Sequence, residues 1–448
     1  VSQRVVIIGA GFAGLSAAVW LAEAGFTVLV LERRGHLGGR AYSFQDPATG
    51  DVVDNGQHLF MGCYDNTIAF LEKIGCLNRL KFQAVPRVDF LDLDGQPATF
   101  ACPNLPAPLH ALAGLFRMQG LNLSEKLRTL KVGRAIRRRE NGTGDAFTVS
   151  QWLDRLGQSD RIKRRFWYPM MIATLNEDPE LASAKMMKAV LREAFGSGFS
   201  GSRIGIARVG LSDLYTDGAR RYIESLGGNV RTTAEVSRIG LTGQAVTHLE
   251  LKSGETIKAD YFVSAIPPAP LSQVLPEPLR SGELASAALL ESSPIVSINL
   301  WFDEEVMDCE FVGLLGTRCQ WAFNKSLILE RRGGSNQVAV VISAARHYVD
   351  WPREELTRMA LSDLQSVMPK ARTARLVHST IVKERDATLS HTVESDRLRP
   401  DAKTSVRNFV LAGDWIDTGL PATIESAVLS GRNAANLVIK NAREDEGG

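Results

Sequence analysis

An α/β fold, with a parallel sheet assembled from separated stretches of chain and an α+β domain and helical cap inserted between them, is what the 448-residue sequence predicts. Three observations predict it. Near the start a buried-strand pattern, Val5-Val6-Ile7-Ile8, runs through Gly9-Ala10-Gly11-Phe12-Ala13-Gly14 into an apolar helix pattern and a second strand, Thr27-Val28-Leu29-Val30-Leu31, closed by Glu32. Near the end another buried strand, Phe409-Val410-Leu411-Ala412, stops at Gly413-Asp414 and leads through a loop to a helix opening at Ala422-Thr423-Ile424. Between them the hydrophobic period changes from helical to alternating, and the chain is too long for one simple core.

The first unit has the sharpest chemistry. Gly9 allows a tight turn after the strand, Gly11 lets the backbone approach a pyrophosphate, and Gly14 lets the helix pack closely on the strand. Amides at the helix start then face the phosphates. Glu32, about twenty residues beyond the glycines, is placed to accept hydrogen bonds from a ribose diol. Glycines at strand ends are often ordinary turns. Strand, helix, second strand and terminal acid in the required order make this a dinucleotide site.

Downstream, Arg33-Arg34-Gly35-His36-Leu37-Gly38-Gly39-Arg40 adds a second glycine pair and a cation near the same phosphates. Read by itself, this run is also compatible with a basic surface turn. It resembles the FAD-binding start of the amine oxidase and phytoene desaturase superfamily, which favours FAD over NAD. A split Rossmann-type FAD-binding domain is therefore expected over residues 1–85, 205–275 and 401–442. The opening of the helix at Ala422 gives it a second cradle, whose amides and positive dipole suit the electron-rich pyrimidine edge of a reduced flavin.

From about residue 86 short strands, the prolines Pro103, Pro106 and Pro108, and then helices point to a cap over 86–204. Within it, Leu109 to Leu121 is apolar, short and followed by cations from Lys126 to Arg139. Two readings stand: a segment that dips into a membrane surface and forms an entrance, or a buried cap helix. A substrate-binding mixed sheet is expected over 276–400, with strands at Val296–Phe302 and Gln337–Ile342 and a helix from Glu354 to Val367.

Composition excludes several function classes. A net charge of +2 is too small to suggest a nucleic-acid partner. The basic clusters Arg134, Arg137, Arg138, Arg139 and Arg161, Lys163, Arg164, Arg165 read as solvated helix faces or as contacts to anionic lipid. Five cysteines, an odd number with no CxxC pair, argue for a reducing compartment and against zinc or a disulfide framework. No run of eighteen apolar residues and no leader pattern are present. Cytoplasmic residence at the inner face of the membrane is expected, with the oligomeric state open.

Further segments narrow the resemblance. Asp54-Asn55-Gly56-Gln57-His58-Leu59-Phe60-Met61-Gly62-Cys63-Tyr64, Phe166-Trp167-Tyr168-Pro169, Ala173-Thr174-Leu175-Asn176, and Leu411 through Ala427 with Ser430-Gly431-Arg432 together resemble the squalene-associated flavoproteins, the hydroxysqualene dehydroxylases. Plant-type carotene desaturases share much of this but differ in the loop Asp417-Thr418-Gly419-Leu420-Pro421. The resemblance implies that Gly9, Gly11, Ala13, Gly14, Glu32, Arg33, Gly39, Arg40, Gly56, Gln57, His58, Val236, Gly413, Asp414, Thr423 and Ile424 hold FAD. It also implies a long-chain isoprenoid alcohol as substrate, reduced to squalene for hopanoid synthesis.

Reductive removal of an allylic hydroxyl needs a proton for the leaving oxygen and a dry apolar cavity. His58 is the first candidate donor because imidazole titrates near neutrality, with a flavin-orienting role as its alternative. Asp417 is the second, with turn capping as its alternative. Tyr64 is the third, against plain packing. Trp167 and Tyr168 offer either cation–π faces or core packing. Two rival functions share the same residues: a carotenoid desaturase that uses oxidised FAD, and a non-catalytic prenyl-lipid carrier.

Overall fold

The structure is a computed structural model that describes residues 3–93, 97–137, 146–331 and 336–446. Its central feature is a five-stranded parallel sheet with the spatial order Asn229–Arg231, Thr27–Leu31, Arg4–Ile8, Tyr261–Ser264, Phe409–Leu411. Val5 to Ile8 are all buried, as strands covered on both faces must be. Their alternation assigns the two faces. Val5 and Ile7 pack with the helix Phe12–Glu23 and the last helix, Ile424–Glu446. Val6 and Ile8 pack with the three-stranded antiparallel sheet of Val236–Thr242, Ala245–Leu251 and Thr256–Ile257.

The first and last helices cross at close range because small residues line their contact. A Cβ on Gly431 would come within 2.2 Å of the Ala13 carbonyl oxygen, and Ser16 Oγ donates to the Val428 carbonyl at 2.9 Å. Two N-termini separated by more than four hundred residues of chain thus open onto one place. The last helix runs to Glu446, beyond the domain end expected at residue 442.

The second large sheet has seven strands in the order Leu376–Leu389, Ser292–Phe302, Asn336–Ile342, Trp321–Asn324, Phe311–Leu315, Arg87–Asp92, Ala98–Ala101. It is antiparallel except where Phe311–Leu315 runs alongside Arg87–Asp92. The division drawn at residue 86 is corrected here, because the two strands after it complete this sheet instead of belonging to the cap. One face of the sheet packs on the helix Arg353–Val367. The other meets the cap helices, including Leu123–Arg137, Tyr168–Leu175 and Ala184–Gly196, through Phe90, Phe100, Phe166 and Trp321.

Candidate active site

The glycine turns are closed by packing constraints. Gly9 has φ +102°, and a Cβ on Gly14 would lie 1.9 Å from the Gly9 carbonyl oxygen, so only glycine lets the helix start here. Gly11 and Gly39 face each other backbone to backbone: a Cβ on Gly39 would sit 3.2 Å from Gly11 Cα. The first-turn amides of the helix Phe12–Glu23 have no capping side chain, which leaves a donor cluster for an anion. Glu32 is buried and pins the turn, accepting from the Ala10 amide at 3.0 Å and the Arg34 amide at 2.9 Å. Arg34 donates to the Gly39 carbonyl at 3.1 Å. A cradle that side chains would fill, with free amides and a carboxylate at its far wall, fits FAD.

The second cradle is built from the chain's other end. Gly413, at φ +137°, donates its amide to Ser430 Oγ at 2.8 Å. Asp414 is buried in an ion pair with Arg40, which links the two halves of the split domain. Thr423 Oγ accepts from the Ser426 amide at 3.2 Å and so caps the last helix. Gly9, Gly11, Ala13, Glu32, Arg33, Gly39, Arg40, Gly56, Gln57, His58, Val236, Gly413, Asp414, Thr423 and Ile424 all line one cavity of about 500 Å³; Gly14 sits behind it as a packing residue.

That cavity continues, without a wall, into an apolar compartment formed by Phe90, Phe100, Phe166, Phe195, Trp321 and Phe323. A π-helical turn over Lys163–Trp167 delivers Phe166 to it. The same Phe100, Phe166 and Phe195 also line a second cavity of about 840 Å³ under the helices Leu109–Arg117 and Leu123–Arg137. Phe100 and Phe166 are 5.0 Å apart between ring centroids, so an aromatic partition separates the two spaces.

The proton-donor candidates separate clearly. His58 lines the cavity, with Nδ1 2.8 Å from the Gly56 carbonyl oxygen. A carbonyl only accepts, so Nδ1 carries the proton and Nε2 of the neutral ring is an acceptor. Burial pushes the imidazole below its ordinary value, outweighing the hydrogen bond to Gly56. Tyr64 also lines the cavity, and burial raises its phenol. Asp417 is different. It is exposed, does not line the cavity, and accepts from the Gly419 amide at 3.0 Å as a turn cap. That geometry removes it as a donor. Trp167 donates Nε1 to Gln158 Oε1 at 3.0 Å and Tyr168 donates to Ser150 Oγ at 3.2 Å; neither reaches the flavin-side cavity.

Several contributing residues had no sequence signal. Lys325, fully buried, binds Asp54 Oδ2 at 2.6 Å and Gln57 Oε1 at 2.8 Å, tying the large sheet to the loop that carries His58. Tyr215 stacks on Phe12 at 3.7 Å and donates to the Gly38 carbonyl at 2.8 Å. Arg399 is buried beneath the Asp414–Leu420 loop and donates to the carbonyls of Leu420 at 2.9 Å and Asp414 at 3.2 Å. Burial pushes its guanidinium below the ordinary arginine value. His391 Nε2 accepts from the Ala422 amide at 2.6 Å, fixing the entry to the last helix. The Lys325 and Tyr215 contacts join residues more than 170 positions apart, and those of Arg399 and His391 cross 15 to 31 positions, with no local pattern to mark them.

A family profile described as flavin containing amine oxidoreductase matches residues 12–439. The chain is 31% identical over 446 residues to a hydroxysqualene dehydroxylase of Rhodopseudomonas palustris, covering 99% of this chain and 100% of that protein. It is 26% identical over 467 residues to a 15-cis-phytoene desaturase of Synechococcus elongatus, covering 99% and 97%. Among solved structures, an oxidoreductase from Methanosarcina mazei superposes with a TM-score of 0.77 at 17% identity over 97% of this chain and all of that one, a likeness of fold.

Proposed function

Since this chain belongs to the flavin containing amine oxidoreductase family, and within it to the hydroxysqualene dehydroxylases, we propose that it reduces hydroxysqualene to squalene with FAD. The observation that carries this reading is the single cavity that joins a dinucleotide cradle to an apolar, aromatic compartment. When bound, reduced FAD supplies the hydride. The chain's own residues do the rest. Phe90, Phe100 and Phe166 exclude water from the reacting carbon and offer aromatic faces to an allylic cation. His58, held at Nδ1 by Gly56, presents Nε2 to the cavity and delivers a proton to the leaving oxygen only when the ring is protonated.

The intact cradle distinguishes the protein from a carrier that has no use for flavin. The carotenoid-desaturase relatives share the fold and the greasy cavity, so direction of electron flow is the discriminating readout. Anaerobic, photoreduced protein mixed with hydroxysqualene is expected to reoxidise and yield squalene. Absence of that reaction, together with dehydrogenation of phytoene by the oxidised protein, contradicts the reading.

The substrate is assigned to enter from a membrane surface. Leu105, Leu109, Leu123 and Leu127 are exposed on the cap beside the second cavity. Arg128, Lys131, Arg134 and Arg137 are exposed on the same helix as Leu123 and Leu127, an arrangement suited to an anionic lipid surface. Arg138 and Arg139 lie outside the described residues. The helix Leu109–Arg117 meets both sequence readings in part: it buries His110 and Leu115 while its Leu109 end is open. No helix among the described residues is long and apolar enough to cross a membrane. Flotation with anionic liposomes is expected to carry the protein upward; its staying at the bottom contradicts surface attachment.

A further inference from the structure

One polar spot on the wall of the flavin-side cavity is organised by a residue outside the flavin cradle. Asn176 ends the cap helix Tyr168–Leu175 in the left-handed conformation, φ +49°, which asparagine tolerates better than most side chains. Its amide is fully used. Nδ2 donates to the Ser293 carbonyl at 3.0 Å and to Thr388 Oγ1 at 2.9 Å, and Oδ1 accepts from the Ala344 amide at 2.7 Å. One side chain thereby gathers a cap helix, the turn after the strand Asn336–Ile342, and the paired strands that set Ser293 opposite Thr388.

Asn176, Ser343 and Thr388 all line the flavin-side cavity. The Thr388 oxygen accepts from Asn176, so its own O–H is left to donate, and it has no acceptor among the described residues. Ser343 Oγ has no hydrogen-bond partner among the described residues either, although its backbone amide is held by Gln320 Oε1 at 2.8 Å. Behind this spot the charges are already paired: the buried Glu177 carboxylate is bound by Arg346 at 2.8 Å, and Arg346 also reaches Ser390 Oγ at 3.0 Å. A neutral pair of hydroxyls in an apolar wall can donate to a neutral oxygen, and it supplies no counter-charge to an ammonium group.

Building on the dehydroxylase reading, we infer that Thr388 and Ser343, gathered by Asn176, form the recognition site for the substrate's hydroxyl oxygen. Thr388 donates to that oxygen, Ser343 supplies a second hydroxyl, and Asn176 acts as a positioning residue. The site orients the carbon that bears the hydroxyl and selects an alcohol over a hydrocarbon of the same length, since a hydrocarbon leaves both O–H donors unsatisfied.

The test is equilibrium binding to the oxidised, FAD-loaded full chain, read by perturbation of the flavin spectrum, with hydroxysqualene and squalene as the two probes. The wild type is expected to prefer hydroxysqualene by about tenfold. The Thr388→Val, Ser343→Ala double variant is expected to lose that preference while keeping its affinity for squalene, and Thr388→Ser to retain the preference. A double variant that keeps the preference, or one that loses both ligands equally, overturns the inference. So does a wild type with no preference. If the preference is present but reduced protein forms no squalene, the recognition site stands and the proposed reaction falls.

Discussion

The flavin cradle and the apolar compartment share one cavity but are specified in different ways. The cradle is made of backbone: Gly9, Gly14, Gly39 and Gly413 are set by steric exclusion or a positive φ, and their local spacing fixes where amides point. The compartment is made of side chains brought from the cap and from distant strands, Phe90, Phe166 and Trp321 among them. A cradle of this kind fails when one atom is added. A compartment of this kind fails when volume or a paired charge is removed.

The largest expected effect is therefore at Gly14. Its replacement by alanine puts a methyl 1.9 Å from the Gly9 carbonyl, displacing the helix N-terminus that faces the pyrophosphate. The flavin-to-protein absorbance ratio of Gly14→Ala is expected to fall close to zero; an FAD content equal to wild type would break the distinction between the two regions. Next comes the junction between them. Lys325→Met leaves Asp54 buried without its cation and is expected to cost about 3–5 kcal/mol in denaturant unfolding. Pairing it with Asp54→Leu should recover most of that loss, because two apolar groups leave no charge uncompensated.

A smaller effect is expected in the pH dependence of turnover. Burial holds the His58 imidazole below the 6.5 of a free ring, so its protonated form is depleted as pH rises through that lowered value. If His58 is the donor, squalene formation declines with rising pH along a limb centred below 6.5, and His58→Gln removes the limb without removing FAD. Persistence of the limb in His58→Gln assigns the proton elsewhere. The smallest effect is at Asp417. Its exposed carboxylate caps a turn, and Asp417→Ala is expected to change stability by about 0.5 kcal/mol and leave turnover near wild type in steady-state assays.

The same contrast explains what was legible in the sequence. The parallel strands, the glycine turns, Glu32, and the return of the chain at Gly413-Asp414 were readable because each is a local pattern with a steric cause. Val236 and Arg33 line the cavity. Lys325, Tyr215, Arg399 and Asn176 were not readable, since their partners lie on other elements and no spacing rule connects them. Asp417 shows the converse error. Its position in a flavin-side segment suggested chemistry, but a carboxylate two residues before a glycine amide satisfies a turn first. Short strands after residue 86, at Val88–Leu93 and Gln96–Phe100, are legible in the sequence, while the pairing of Arg87–Asp92 with Phe311–Leu315 is out of reach because parallel partners carry no sequence tag.

The claim that cradle and compartment act as one site is tested most directly by a single anaerobic turnover. Protein reduced to one electron pair per flavin, mixed with excess hydroxysqualene, should reoxidise and release one squalene per flavin, with both signals rising at the same rate. Flavin reoxidation without squalene, or squalene formed while the flavin stays reduced, would contradict it.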